Sequence, residues 1–181
     1  MSSDLPHRHS IRLKDYDYSQ NGAYFVTLST QNRECLFGEI ENDEMKLNEW
    51  GKVAKGEWIN LPKRFTNIEL DLFVIMPNHT HGIITIKNLV GVSFMKPETK
   101  YNIATSNQHM GLINQTPTLG HVIRHFKSKS SYEIHQNGLN QIIWQRNYYE
   151  HIIRNEGDLN RIREYIIDNP LNWRKDDLFM L

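Results

Sequence analysis

The sequence predicts an α+β fold of the split βαβ, or ferredoxin-like, kind, and three observations predict it. Residues 23–30, 68–76 and 80–87 are rich in aromatic and β-branched side chains and read as strands. Residues 47–61 and 117–135 carry apolar residues at helical spacing. A looser strand at 142–153 and a helix at 156–169 complete the order β-α-β-β-α-β-α, whose first six elements are the split βαβ arrangement.

The elements can be justified in turn. Residues 1–22 form a polar N-terminal arm with His7, Arg8, His9, Arg12 and Lys14, ending in the turn signal Asn21-Gly22. The first strand follows. Residues 31–44 are polar, a loop or short hairpin. Leu47, Trp50, Val53, Ala54, Trp58 and Leu61 then define the first helix, with Asn48 or Asn42 as its cap and Pro62 ending or kinking it. Leu70, Leu72, Val74 and Met76 alternate, which predicts one face of the second strand. The turn Pro77-Asn78 joins it to the third. Residues 88–116 are rich in Asn, Gln, Ser and Thr without periodicity, and read as a flexible insertion. Thr116 as cap and Pro117 at the first helical position predict the start of the next helix, with Gly138 as its stop. Asn155 with Asp158 resembles a capping box at the start of the last helix, and Pro170 closes it. In this topology the third strand is internal and neighbours the first.

The 181 residues suit a single domain spanning 1–181. No window approaches about 18 consecutive apolar residues, so no membrane partner is expected. The N-terminus lacks the apolar stretch of a signal peptide, and the single cysteine, Cys35, excludes an internal disulfide and a cysteine-built zinc cage. A cytoplasmic location is the natural expectation. Net charge is zero, with 21 basic and 21 acidic residues, which argues against indiscriminate coating of nucleic acid. The charge is segregated, however. Glu39, Glu41, Asp43, Glu44 and Glu49 face Lys46 alone, whereas Arg124, Lys127, Lys129, Arg146 and Arg154 outnumber Glu133 and Glu150.

The chemistry concentrates in two places. His79 and His81 follow the Pro77-Asn78 turn two residues apart, and strand residues i and i+2 share a face. Two imidazoles side by side can bind one metal ion if a third ligand arrives from elsewhere. On the last helix Leu159, Ile162 and Ile166 form an apolar stripe. Tyr165 and Asn169 lie beside that stripe, one turn apart. Read from spacing alone, idle hydrogen-bonded histidines and a tyrosine that merely anchors its helix remain open alternatives.

Three segments carry a family resemblance. Met76-Pro77-Asn78-His79-Thr80-His81 is similar to the His-hydrophobic-His motif of single-strand nucleases and transposases, with Thr80 where a large apolar residue is usual. The segments running from Trp144 to Asn155 and from Tyr165 to Pro170 resemble the C-terminal signature of REP-associated tyrosine transposases, members of the HUH single-strand tyrosine transposase superfamily. The resemblance runs from about Ala23 to Trp173 and breaks at the insertion. It implies a metal-dependent single-stranded DNA endonuclease and strand transferase acting at hairpin-flanked sites. Tyr165, on the additional C-terminal helix, would be the nucleophile and form a 5′-phosphotyrosine. His79, His81 and Asn169 would hold a divalent Mg²⁺ or Mn²⁺ ion.

Single-stranded or hairpin DNA is the expected partner, and a homodimer is left open. Arg124, Lys127, Lys129 and Arg146 are the candidate phosphate contacts. Tyr148, Tyr149 and Trp144 could stack on bases, although the first two are expected at an edge, away from the histidines. No role follows for Glu150 or His151. The rival is a catalytically silent module of the same fold that binds single-stranded or hairpin DNA. A (β/α)₈ metallo-hydrolase needs about 250 residues, and an all-β jelly roll would not carry these helices.

Overall fold

The structure is a computed structural model that describes residue 17 and residues 20–87 and 117–179. The predicted arm, for all but a few residues, and the whole of the predicted insertion at 88–116 lie outside the described residues.

Strand β1 (Gly22–Ser29) sits between β5 (His79–Ile86) and β6 (Tyr149–Ile153), and β4 (Ile68–Ile75) flanks β5 on its far side. The order β4-β5-β1-β6 with antiparallel pairing is the ferredoxin-like sheet that the element order predicts. A two-stranded hairpin, β2 (Gly38–Glu41) and β3 (Glu44–Leu47), carries much of the acidic run, and Asn42 and Asp43 take positive φ in its turn. Helices α1 (Glu49–Ile59) and α2 (Leu61–Arg64) follow, then α3 (Leu119–Gln136) and α4 (Glu156–Asp168).

Period-two alternation sorts the strands onto two cores. Tyr24, Val26, Leu28, Ile84 and Ile86 pack on one face against Ala54 and Trp58 of α1 and Val122, Ile123 and Phe126 of α3. Phe25 and Ile83 pack on the other face against Ile162 and Ile166 of α4. The sheet is thus covered on both sides, and α4 alone among the four helices belongs to the second core.

Local chemistry places the helix ends. Asn48 caps α1 through Gly51 N–H at 2.9 Å. Asn155 caps α4 by accepting from Asp158 N–H at 2.8 Å. The reciprocal half of a capping box is absent there, because the Asp158 carboxylate accepts from His151 at 2.7 Å and Arg161 at 2.5 Å instead. That gives His151 a place: it ties β6 to α4.

Three sequence expectations need correcting. The cap of α3 is Thr118, not Thr116, so Pro117 precedes the helix. The fourth strand is confined to Tyr149–Ile153. Upstream of it Trp144 makes only an isolated antiparallel bridge to Thr30, with Gln31 N–H donating to Ile143 O and Gln145 N–H to Ser29 O, while its indole turns inward and donates from Nε1 to Ser130 Oγ of α3 at 2.9 Å. The expected single face of β4 is split by a bulge between Leu70 and Phe73. One extra residue flips the alternation, so Leu70 joins the first core while Leu72 and Val74 join the second.

Candidate metal and nucleophile site

The site lies on the α4 face of the sheet. The hairpin that carries it is fixed by its own backbone: Met76 N–H donates to His79 O at 2.8 Å, and Phe37 N–H to Pro77 O at 3.0 Å. Beyond the turn, His79 and His81 project side by side, their ring centroids 4.4 Å apart. Both are buried. Phe25 of β1 stacks on His81 at 5.3 Å.

Each ring is oriented through Nδ1. His79 Nδ1 lies 2.8 Å from Asn78 Oδ1, a carbonyl oxygen that can only accept, so this nitrogen carries the proton. His81 Nδ1 lies 2.8 Å from Thr27 Oγ1. The His79 Nε2 lone pair is thereby left pointing into the site, as a metal-ligating histidine requires.

Helix α4 brings the phenol. The Tyr165 hydroxyl lies 3.1 Å from His81 Nε2 and 3.5 Å from Asp176 Oδ2. The helix is fixed over the sheet by its apolar stripe and by Arg163, which grips Asp71 in the β4 bulge from Nε at 3.2 Å and from Nη2 at 2.5 Å. Asn169, at the C-cap of α4, donates from Nδ2 to Asp176 Oδ2 at 3.1 Å.

Asp176 is the residue that sequence reasoning missed. It sits past a short 3-10 turn, Trp173–Lys175, where no periodicity or motif marks it. The chain after α4 folds back over the histidines, with Trp173 5.8 Å from the His79 ring. The ligand atoms of His79, His81 and Asp176 lie within 4.8 Å of one another. This cluster could hold a metal ion. His79 Nε2 and Asn169 Oδ1 are buried and have no hydrogen-bond partner. Unpartnered buried acceptors are costly, and two of them beside a carboxylate suit a cation.

Burial holds the His79 imidazole down to about 4, against the pull of the Asp176 carboxylate and the Asn169 amide. Its 4.0 Å approach to Asp176 is therefore not an ion pair near neutral pH. Burial, with His79 alongside, also lowers His81 well below the usual imidazole range. Burial and the Asp176 carboxylate push the Tyr165 phenol up to about 12. Near neutral pH the rings are thus uncharged and the phenol is protonated.

An uncharacterized protein of Haemophilus influenzae is 40% identical over 179 residues, 99% of this chain and 97% of that protein. The chain belongs to the family of that protein. No protein-family model matches it. Among solved structures, a REP-associated tyrosine transposase bound to a REP hairpin matches with a TM-score of 0.58 over 91% of this chain and 74% of the other, at 20% identity. The fold is that of the REP-associated tyrosine transposase.

Within that fold, an open cavity of about 690 Å³ adjoins the phenol, its lining including Phe25, Tyr149, Tyr165, Asn172, Lys175 and Leu178. Tyr149 is not remote from the histidines, as its edge strand suggested. It pairs with Thr27, which itself pairs with His81, and its 58% exposed ring meets Phe25 edge-on.

The structure does not bring the basic residues of α3 to this site, because α3 covers the opposite face of the sheet. Lys127 donates to Gln145 O and Asn147 O, both at 2.8 Å, and burial lowers its ammonium to about 8. Lys129 is paired with Glu133. Arg124 and Arg146 are exposed.

Proposed function

We propose that this protein is a metal-dependent single-stranded DNA endonuclease and strand transferase of the REP-associated tyrosine transposase kind, acting beside DNA hairpins. The observation that carries this reading is the Tyr165 hydroxyl 3.1 Å from His81 Nε2, next to two buried ligand atoms without partners.

His79 and His81 through Nε2, Asp176 through its carboxylate and Asn169 through its amide oxygen would hold a divalent ion such as Mg²⁺ or Mn²⁺. Bound there, the ion supplies Lewis-acid polarisation of the scissile phosphate. Tyr165 attacks the phosphorus. The Tyr165 Oη–P bond forms and the P–O3′ bond breaks, leaving a 5′-phosphotyrosine and a free 3′-hydroxyl. The phenol must surrender its proton during attack; with the His81 Nε2 lone pair given to the ion, the acceptor in reach is Asp176 Oδ2 at 3.5 Å, and the departing O3′ takes up a proton from solvent. The covalent link conserves the phosphodiester bond energy, so a second strand can be joined without ATP. The cavity beside Tyr165 gives the single strand a path: Tyr149 offers a face for a base, and Lys175 a cation for a phosphate. Exposed Arg124 and Arg146, with Lys127 and Lys129 nearby in sequence, are the proposed contacts for DNA away from the cut.

The test is covalent trapping. A hairpin oligonucleotide with single-stranded flanks is incubated with protein and Mn²⁺, then run on a denaturing gel. Wild type should give a DNA-linked band, and Tyr165→Phe should give none while still binding the hairpin. Adduct formation by Tyr165→Phe overturns the assignment. Hairpin binding by wild type with no adduct in any divalent metal would favour the silent binding module instead.

A further inference from the structure

Asn78 belongs to the turn before the histidines, and a turn requires only that its backbone fit. Its side chain does far more. It is fully buried, and both hydrogens of its amide nitrogen and one lone pair of its amide oxygen are used. Nδ2 donates to Arg33 O at 3.0 Å and to Leu178 O at 2.7 Å. Oδ1 accepts from His79 Nδ1 at 2.8 Å. The orientation is forced: a flipped amide would set its oxygen against two carbonyl oxygens. Its main-chain oxygen is engaged too, by Thr30 N–H at 2.8 Å and the Thr30 hydroxyl at 3.0 Å.

Two consequences meet in the site. Because Oδ1 faces His79, the Nδ1 of that ring is protonated and its Nε2 lone pair is directed inward. Because Nδ2 clips Leu178 O, the segment after α4 is held against the turn. Leu178 N–H in turn donates to Asp176 Oδ1 at 2.7 Å, which aims Oδ2 at Tyr165 and Asn169. Arg33 adds a second clip, from Nη1 to Asp177 O at 3.1 Å.

We propose that Asn78 is a positioning residue of the metal site, selecting the His79 tautomer and clipping the segment that delivers Asp176. This rests on the metal reading above. It adds that two ligands distant in sequence, His79 and Asp176, are set by one amide between them.

Asn78→Asp separates the two tasks. It keeps an acceptor for His79 Nδ1–H but places oxygen against the Arg33 and Leu178 carbonyls, so the clip is lost and the tautomer kept. Mn²⁺ affinity is measured by calorimetry without DNA, on the full chain. Asn78→Asp should weaken binding about tenfold or more, the usual effect of losing a residue that orients metal ligands. Asp176→Asn should weaken it similarly, and the double variant should be no weaker than Asp176→Asn alone, because the two act through one ligand. A separate measurement needs no variant: ¹⁵N–¹H correlation of the metal-free wild type should show His79 protonated at Nδ1. Wild-type affinity in Asn78→Asp, additive losses in the double variant, or a His79 ring protonated at Nε2 would each overturn the proposal. No Mn²⁺ uptake by wild type would overturn the metal reading itself, and this inference with it.

Discussion

Thr80 stands between the two histidines and faces the other way. It pairs with Leu28 on one side and Ile75 on the other, both in the first core, and its buried hydroxyl has no partner. The His-hydrophobic-His motif that this segment resembles has a large apolar residue here, and the surroundings of Thr80 would suit one. Thr80→Val should therefore raise stability by about 1 kcal/mol, the desolvation cost of one unmatched hydroxyl. Urea unfolding should show a higher midpoint with an unchanged slope, and a lower midpoint would contradict this. His79 makes the opposite kind of prediction. Its imidazole titrates near 6.5 when unfolded and is held down to about 4 in the fold, chiefly by burial. Between those pH values the unfolded chain binds more protons. The contribution is thus fully present above about 6.5 and lost as pH falls toward 4. Metal-free protein should lose on the order of 3 kcal/mol over that window, with His81 adding loss in the same direction. Stability that stays level from pH 7 to pH 4.5 would show that the imidazoles are not buried neutral.

At the scale of elements, β5 is held flat against α1 by an absent side chain. A Cβ at Gly82 would lie 2.3 Å from the Trp58 ring. Gly82→Ala should cost about 1–3 kcal/mol through overpacking, read as a lowered thermal midpoint, and Trp58→Phe in the same chain should recover part of it. An additive double variant would show that Trp58 is not the obstacle. The elements themselves were legible because their patterns are local. Strand alternation, the Asn48 and Asn155 caps and the α4 stripe all lie within a few residues of what they specify. The bulge in β4 was not legible. Asp71 breaks the alternation by bonding Leu72 N–H at 2.7 Å and reaching Arg163 on a helix 92 residues away. Lys127 was named as a candidate phosphate contact without sight of the carbonyls of Gln145 and Asn147 that hold it, because they belong to another part of the chain.

At the scale of the molecule, the split βαβ order places the histidine strand centrally, and the sequence specified that order. Tyr165, Asn169, His79 and His81 were all named as candidates from spacing and resemblance, and the fold gathers them on one face. Asp176 was not found, because nothing local distinguishes it from Asp177. Only the return of the chain over the turn, with Asn78 holding Leu178 O at 2.7 Å, brings it beside the histidines. Likewise Tyr149 became a neighbour of the site only once β6 paired with β1. Among the described residues no helix is long and apolar enough to cross a membrane.

The central claim is that Tyr165 is the nucleophile. Its hydroxyl lies 3.1 Å from His81 Nε2, whereas Tyr149 lines the same cavity from the edge strand. Both phenols line one cavity, so a gel band alone does not choose between them. The deciding measurement is peptide mapping of the wild-type covalent adduct by mass spectrometry after nuclease and protease digestion. The mass of a residual 5′-phosphonucleotide should fall on the peptide containing Tyr165, and fragmentation should place it on that ring. A label on Tyr148 or Tyr149 would contradict the account.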